Sequence, residues 1–269
     1  MDGGGNGGAM CLILFAYNVH PDYRLVFAAN RDEFYERPTR GLNYWKDVPQ
    51  ILAGRDLKAR GTWLGVTPTG RLAAITNYRE PHNIKAKAPS RGQLVTNYLV
   101  SDEKPGHYCE RISADGHRYN GYNLILGDRD SLSYCSNRRA EILEIKPGYY
   151  GLSNHLLESP WPKVGKGKQQ LQDLLEGSGK VEVELLFALL QDRHQPADNQ
   201  LPDTGVGLEW ERILAPLFIK SDIYGTRSSS IILIDRSDQV TFIERTFDPN
   251  PSATSKPTTR SFSFTIIKS

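Results

Sequence analysis

Apolar residues along this chain gather in short runs bounded by turn formers rather than in long helical stripes. Met10-Cys11-Leu12-Ile13-Leu14-Phe15-Ala16 and Leu25-Val26-Phe27-Ala28-Ala29 are the first two. Between them, Asn18-Val19-His20-Pro21-Asp22-Tyr23 supplies Pro and Asp for a turn, so the pattern predicts a buried β-hairpin. Antiparallel pairing sets Cys11 at the start of one strand beside Asn30-Arg31-Asp32-Glu33 at the end of the other. Glu36 to Gly41 reads as loop and Gln50 to Asp56 as a short strand; Gly61 to Val66 and Arg71 to Asn77 form a second hairpin around Pro68-Thr69-Gly70. Tyr122 to Leu126, Ser131 to Ser136 and Glu141 to Ile145 alternate as a meander, followed by a strand from Tyr149 that ends in Asn154.

Helical spacing is confined to the middle. Ser90 with Gln93 has the form of a capping box ahead of Leu94, Val95, Tyr98 and Leu99. Further helices are expected over His107 to Ser113, Trp161 to Glu176 with Gly177 after the end, Val181 to Gln191, and Glu209 to Leu217. Gln195 to Gly207, rich in Pro, Asp and Gly, reads as a surface loop or lid. Ser228 to Asp235, Gln239 to Thr246 and Ser261 to Ile267 return to strand, with Asp248-Pro249 as a turn. Strands first, helices in blocks and strands last give an α+β fold with mostly antiparallel sheets.

Composition narrows the function classes. A chain of 269 residues accommodates a single sizeable core, read here as one domain over residues 10–269 behind a Gly-rich leader or expression scar over residues 1–9. A formal net charge of +2 carries no electrostatic footprint for nucleic acid or a membrane surface, and no apolar run reaches spanning length. Cys11, Cys109 and Cys135 are odd in number and lack C-x-x-C spacing, which fits a reducing compartment, cytoplasmic or an organelle matrix, rather than a disulfide framework or structural zinc. Cys109 and Cys135 read as packing residues. The common motifs G-x-G-x-x-G, P-loop and H-E-x-x-H are missing from the sequence, so no cofactor is required and no metal site is expected.

Cys11 changes the picture. With Met10 removed it would be the N-terminal residue, and an α-amine titrating at about 7.7 to 8.0 can take its thiol proton. No histidine is then needed, and none of His20, His82, His107, His117, His155 and His194 sits in a context that marks it as a partner. Asn77 closes a strand, where its amide either donates to a developing oxyanion or caps a turn. Arg227, ahead of an apolar strand, either grips a substrate carboxylate or phosphate or pairs with Asp32.

Cys11, Asn30-Arg31-Asp32-Glu33, Gly61-Thr62-Trp63-Leu64-Gly65, Thr76-Asn77-Tyr78-Arg79, Ser90-Arg91-Gly92, Leu152-Ser153-Asn154, Ser159-Pro160-Trp161-Pro162-Lys163-Val164 and Gly225-Thr226-Arg227-Ser228-Ser229 occur in that order. In this ordered set the chain resembles the NRDE family, that of transport and Golgi organisation protein 2. The resemblance implies a four-layer αββα sandwich of the N-terminal-nucleophile hydrolase type. By similarity to the Cys-type hydrolases of that fold, which cleave choloylglycine and penicillin V, Cys11 would be the nucleophile and its α-amine the base. Asp32 would orient both, Asn77 and Asn154 would hold the oxyanion and amide, and Arg227 would match a late-chain arginine. Asn30, Arg31, Glu33, Trp63, Arg79 and Arg91 are the candidate substrate-binding residues. The alternative that the family carries is a non-catalytic haem or acyl-CoA binding protein, with His20 or His155 as partners for haem; on either reading the partner is a small molecule.

Overall fold

The computed structural model describes residues 10–178, 181–248 and 256–267; the Gly-rich segment over residues 1–9 and Pro249 of the expected turn lie outside these residues. Thirteen strands in the described residues form two antiparallel sheets. The first has the order β10-β1-β2-β11-β12-β13, built from β1 (Met10–Tyr17), β2 (Tyr23–Phe34), β10 (Gly148–Leu152), β11 (Tyr224–Asp235), β12 (Gln239–Thr246) and β13 (Thr258–Thr265). The second runs in sequence order through β3 (Thr39–Tyr44), β4 (Leu52–Asp56), β5 (Leu64–Val66), β6 (Leu72–Asn77), β7 (Tyr122–Gly127), β8 (Leu132–Ser136) and β9 (Arg139–Glu144).

Alternation along the strands stacks these sheets. On β1, Ile13, Phe15 and Tyr17 join Phe27, Ile232, Ala74, Ile125 and Tyr134 in a core between the sheets. The intervening Leu12, Leu14 and Ala16 turn the other way, onto Leu171 and Leu175 of α3 (Pro162–Ser178) and Leu186, Phe187 and Leu190 of α4 (Val183–Leu190). The outer face of the second sheet is covered by α1 (Gly92–Leu99) and α2 (Pro105–Ala114), with Leu94, Tyr98 and Tyr108 against Ala73, Leu124 and Leu126. Both sheets are thus apolar on two faces, and the layering is αββα. Cys109 and Cys135 are buried in the α1/α2 layer, as packing residues are.

Several local expectations are corrected. Residues 39–44 are strand, because Leu42 is buried and its N–H donates 2.6 Å to the buried Glu244 Oε1 of the other sheet; the run is otherwise too polar to announce a strand. The first helix begins at Gly92 with Arg91 at its cap position and no side-chain cap, so Ser90 contributes only its carbonyl, to the Gln93 N–H. Gly177 lies inside α3, and β11 starts at Tyr224, which brings Gly225-Thr226-Arg227 into the sheet. The loop after α4 is pinned by Thr204, whose N–H and hydroxyl both donate to Glu211 Oε1 on α5 (Leu208–Leu214).

Asn30 does not end its strand, since β2 continues to Phe34. It follows Val26 and Ala28 on the helix-covered face, where its Nδ2 donates to the carbonyls of Leu190 and Leu217 at 2.8 Å each and its Oδ1 accepts from Ser229 Oγ at 2.6 Å. Every polar atom of its amide is committed to joining sheet and helices, so it is a structural brace and not a substrate contact. Asn30→Ala leaves two buried carbonyls and a hydroxyl without partners, and a loss of about 3 kcal/mol is expected in urea unfolding.

Candidate active site

The register of the first hairpin brings the candidate chemistry together. Cys11 pairs with Arg31 and Met10 with Asp32, while β11 lies on the far side of β2 with Thr226 opposite Asp32. On β2, Arg31 and Glu33 extend the face that carries Phe27 and Ala29 between the sheets; Asp32 extends the face of Val26, Ala28 and Asn30 under the helices. Cys11 and Asp32 therefore occupy opposite faces of one sheet and meet at its end. Their link is electrostatic: the Asp32 backbone N–H favours the thiolate of Cys11 and the Asp32 carboxylate opposes it.

Cys11 is 3% exposed. Burial pushes its thiol up to about 12, reinforced by the Asp32 charge and opposed by Arg31. Its carbonyl accepts from Ser153 Oγ at 3.1 Å. Asp32 is fully buried, with Oδ1 held by Thr226 Oγ1 at 2.6 Å. Among the described residues Oδ2 of Asp32 has no hydrogen-bond partner. Desolvation raises this carboxyl to about 6, against the pull of Lys163, the Thr226 hydroxyl, Arg31 and Arg79.

Lys163, on the first turn of α3, is likewise buried and donates to the Leu214 carbonyl at 2.9 Å. Desolvation and Arg79 lower its ammonium to about 8, while Asp32, Cys11 and Glu211 favour the charged form. Arg79 pairs with Glu211 (2.7 Å) and lies over the Trp161 ring at 4.7 Å. A buried network of two carboxylates flanking two cations, Asp32, Lys163, Arg79 and Glu211, so underlies the sheet end. Lys163 and Thr226 lie within the motifs that single out this chain, yet no spacing rule marks their roles; Glu211, on a seven-residue helix, carries no sequence signal at all.

The two candidate asparagines meet one another. Asn154 is fully buried, and its Nδ2 donates to the Asn77 carbonyl at 2.9 Å, while its own carbonyl accepts from the Arg79 N–H at 2.7 Å. It braces the end of β6 against the segment after β10. Asn77 ends β6, paired with Tyr122 and half-buried. Arg227 is not paired with Asp32. It occupies a bulge between Thr226 and Ser228, and its Nη1 donates to the carbonyls of Phe34, Tyr35 and Arg37 at 3.0 to 3.2 Å, because the bulge swings it out of the ladder.

On the inter-sheet side, Arg31 stacks over Trp63 at 4.4 Å and approaches Glu33 at 3.5 Å. Arg91, ahead of α1, donates to the Gly121 carbonyl at 2.8 Å and lies within electrostatic reach of Cys11 and Glu33. Of the haem candidates, His20 belongs to the β1–β2 turn, at the opposite end of the hairpin from Cys11, and its Nδ1 accepts from the Asp22 and Tyr23 N–H groups. His155 is bonded through Nδ1 to Ser159 Oγ at 2.7 Å and packs near Tyr78 and Trp161. No cluster of His, Cys, Asp and Glu among the described residues has the arrangement to hold a metal ion. No helix there is long and apolar enough to cross a membrane.

A solved structure of the Caenorhabditis elegans N-acylethanolamine-hydrolyzing acid amidase ortholog superposes with a TM-score of 0.50 at 12% identity, covering 83% of this chain and 92% of that one. The shared architecture is that of the N-terminal-nucleophile hydrolases. The mouse Transport and Golgi organization 2 homolog is 38% identical over 277 residues, spanning 96% of this chain and 99% of its own. The human homolog is 39% identical over 256 residues (88% and 92%), and the Drosophila melanogaster protein 31% identical over 268 residues (88% and 92%). Since the sequence profile described as Transport and Golgi organisation 2 also matches residues 10–249, the chain belongs to the Transport and Golgi organisation 2 family.

Proposed function

We propose that this protein is a cysteine hydrolase of the N-terminal-nucleophile type, acting on an amide or acyl bond of a small molecule through Cys11. The observation that carries this reading is the pairing of Met10 with Asp32. A chain that begins at Cys11 puts its α-amine where the Met10–Cys11 peptide bond now runs, beside the carboxyl whose Oδ2 has no other partner among the described residues. The amine then takes the thiol proton, and sulfur attacks the carbonyl carbon to form a C–S bond. The tetrahedral oxyanion collapses with cleavage of the C–N or C–O bond, the α-ammonium returns its proton to the leaving group, and water hydrolyses the thioester. The Asn77 amide, at the end of β6, is the side-chain donor proposed for the oxyanion. The likeness in fold to an amidase adds support at the level of reaction class.

With Met10 in place, the Cys11 nitrogen is an amide and a thiol raised to about 12 is ionised at neutral pH to only ~1 part in 10⁵. A chain beginning at Cys11 should therefore acquire one covalent adduct from an acylating or alkylating probe, read by intact mass. The same chain with Cys11→Ala, and the chain that retains Met10, should not. Absence of an adduct on the Cys11-first chain would overturn the reading; a saturable Soret band on adding haem, unaffected by Cys11→Ala, would then put a carrier in its place.

A further inference from the structure

The inter-sheet side of the same sheet end gathers several guanidinium groups. Arg31, Arg37, Arg91 and Arg227 gather there; Glu33 and Asp56 pair with Arg31 and Arg37, while Glu244 acts on Arg31 and Glu80 on Arg91 from further off. Arg37 already takes Asp56 through Nε and Nη2, at 2.9 and 2.6 Å, and shares Glu33 with Arg31 at 3.4 and 3.5 Å. Glu33 also accepts the Phe34 N–H through Oε1. Arg91 is pulled down to about 10 by burial, although Glu33 and the Cys11 position favour its charge.

Two donors in this group are left over. The Arg31 side chain is 2% exposed, and among the described residues its Nη1 has no hydrogen-bond acceptor. Arg227, in the bulge next to Ser228, the residue paired with Arg31, uses Nη1 on three carbonyls, while among the described residues its buried Nε has no acceptor. Buried guanidinium donors without acceptors are costly, and the planar forks of arginine match the oxygens of a carboxylate or phosphate. Trp63 fixes the plane of Arg31 by stacking, so this fork is held in place before any ligand arrives.

We infer that Arg31 and Arg227 form a subsite for an anionic group of the substrate, a carboxylate or phosphate, immediately beside Cys11. Cys11 and Arg31 are directly opposed cross-strand neighbours on one face of the sheet, so the anion lies on the same side of the sheet as the acyl carbon. The substrate class is then an anionic acyl compound rather than a neutral lipid amide. This assignment to the substrate rests on the acyl-transfer reading, whereas the anion site itself does not.

Two measurements separate them. For the full chain, replacing chloride with inorganic phosphate at equal ionic strength should raise the melting temperature by about 3 °C, and Arg31→Met or Arg227→Met should abolish the rise. Acetate in place of phosphate tells a carboxylate site from one needing phosphate: a rise with both salts assigns the former, with phosphate alone the latter. A rise that persists in both variants reports general salting-out and overturns the subsite, as does no rise in the parent chain. For the Cys11-first chain, iodoacetate should label Cys11 at least about tenfold faster relative to iodoacetamide than it labels a free cysteine peptide. Arg31→Lys, which keeps charge but loses the fork, should retain only part of that preference. A ratio equal to the peptide's overturns the subsite, and no labelling by either reagent overturns the acyl-transfer reading while the melting measurement still decides the anion site.

Discussion

Asp32→Asn is expected to slow acylation of Cys11 in the Cys11-first chain by at least about 10³-fold while leaving the protein folded. The amide keeps the size of the side chain and an oxygen for the Thr226 hydroxyl, but it cannot hold an ammonium at Oδ2. The stability signature of this carboxyl is separately measurable. Its folded pKa, about 6, stands above the ordinary 3.8 because it is fully buried, so the native state binds this proton more tightly than the unfolded chain does. The favourable contribution is complete below about pH 4 and is lost as pH rises through 6, a span of ~3 kcal/mol for a shift of this size. Denaturant unfolding of the parent chain should show that fall between pH 4 and 6, and Asp32→Asn should flatten it. Retained acylation in the folded variant would remove Asp32 from the mechanism.

Glu211→Ala is expected to be the most damaging single change outside the packed cores. It strips the buried Arg79 guanidinium of its 2.7 Å partner and releases both Thr204 donors. Leaving one member of a buried ion pair uncompensated costs roughly 3 to 5 kcal/mol, which for a chain of this size lowers the melting temperature by roughly 10 °C. The consequence reaches the groups beside Cys11, because Arg79 also acts on Lys163 and Asp32. Pairing Glu211→Leu with Arg79→Met should recover much of the stability, since the cation that needed compensation is gone, but should not restore acylation. Equal losses in the single and double variants would show that packing, and not charge, is what Glu211 supplies. Melting curves and Cys11 labelling of the same samples check both halves.

How much of this was legible in the chain depended on how local the cause was. The opening hairpin was readable because Pro21-Asp22 marks its turn and because both strands are apolar on both faces, and the pairing of Cys11 with the Arg31–Asp32 pair follows from that hairpin alone. Strand β3 was not readable: its six residues bury Leu42 alone and depend on Glu244, more than 200 positions away. Asn30 was misread for the same reason in reverse, since its amide looks functional until the Leu190 and Leu217 carbonyls are brought against it.

The sequence by itself determined the α+β class, the sheet end at which Cys11 and Asp32 meet, and the family. Alternation and turn chemistry are carried by residues close together in the chain, and the ordered motifs are read from sequence order alone. Only the tertiary structure decided which of the polar residues near that end lie on the Cys11 face, which brace the layers, and that Thr226, Lys163 and Glu211 belong to the buried network. The reason is electrostatic: the state of a buried charge is set by desolvation and by the few charged groups folded against it, and Asp32 and Lys163 acquire those neighbours only when β2, β11, α3 and α5 pack together.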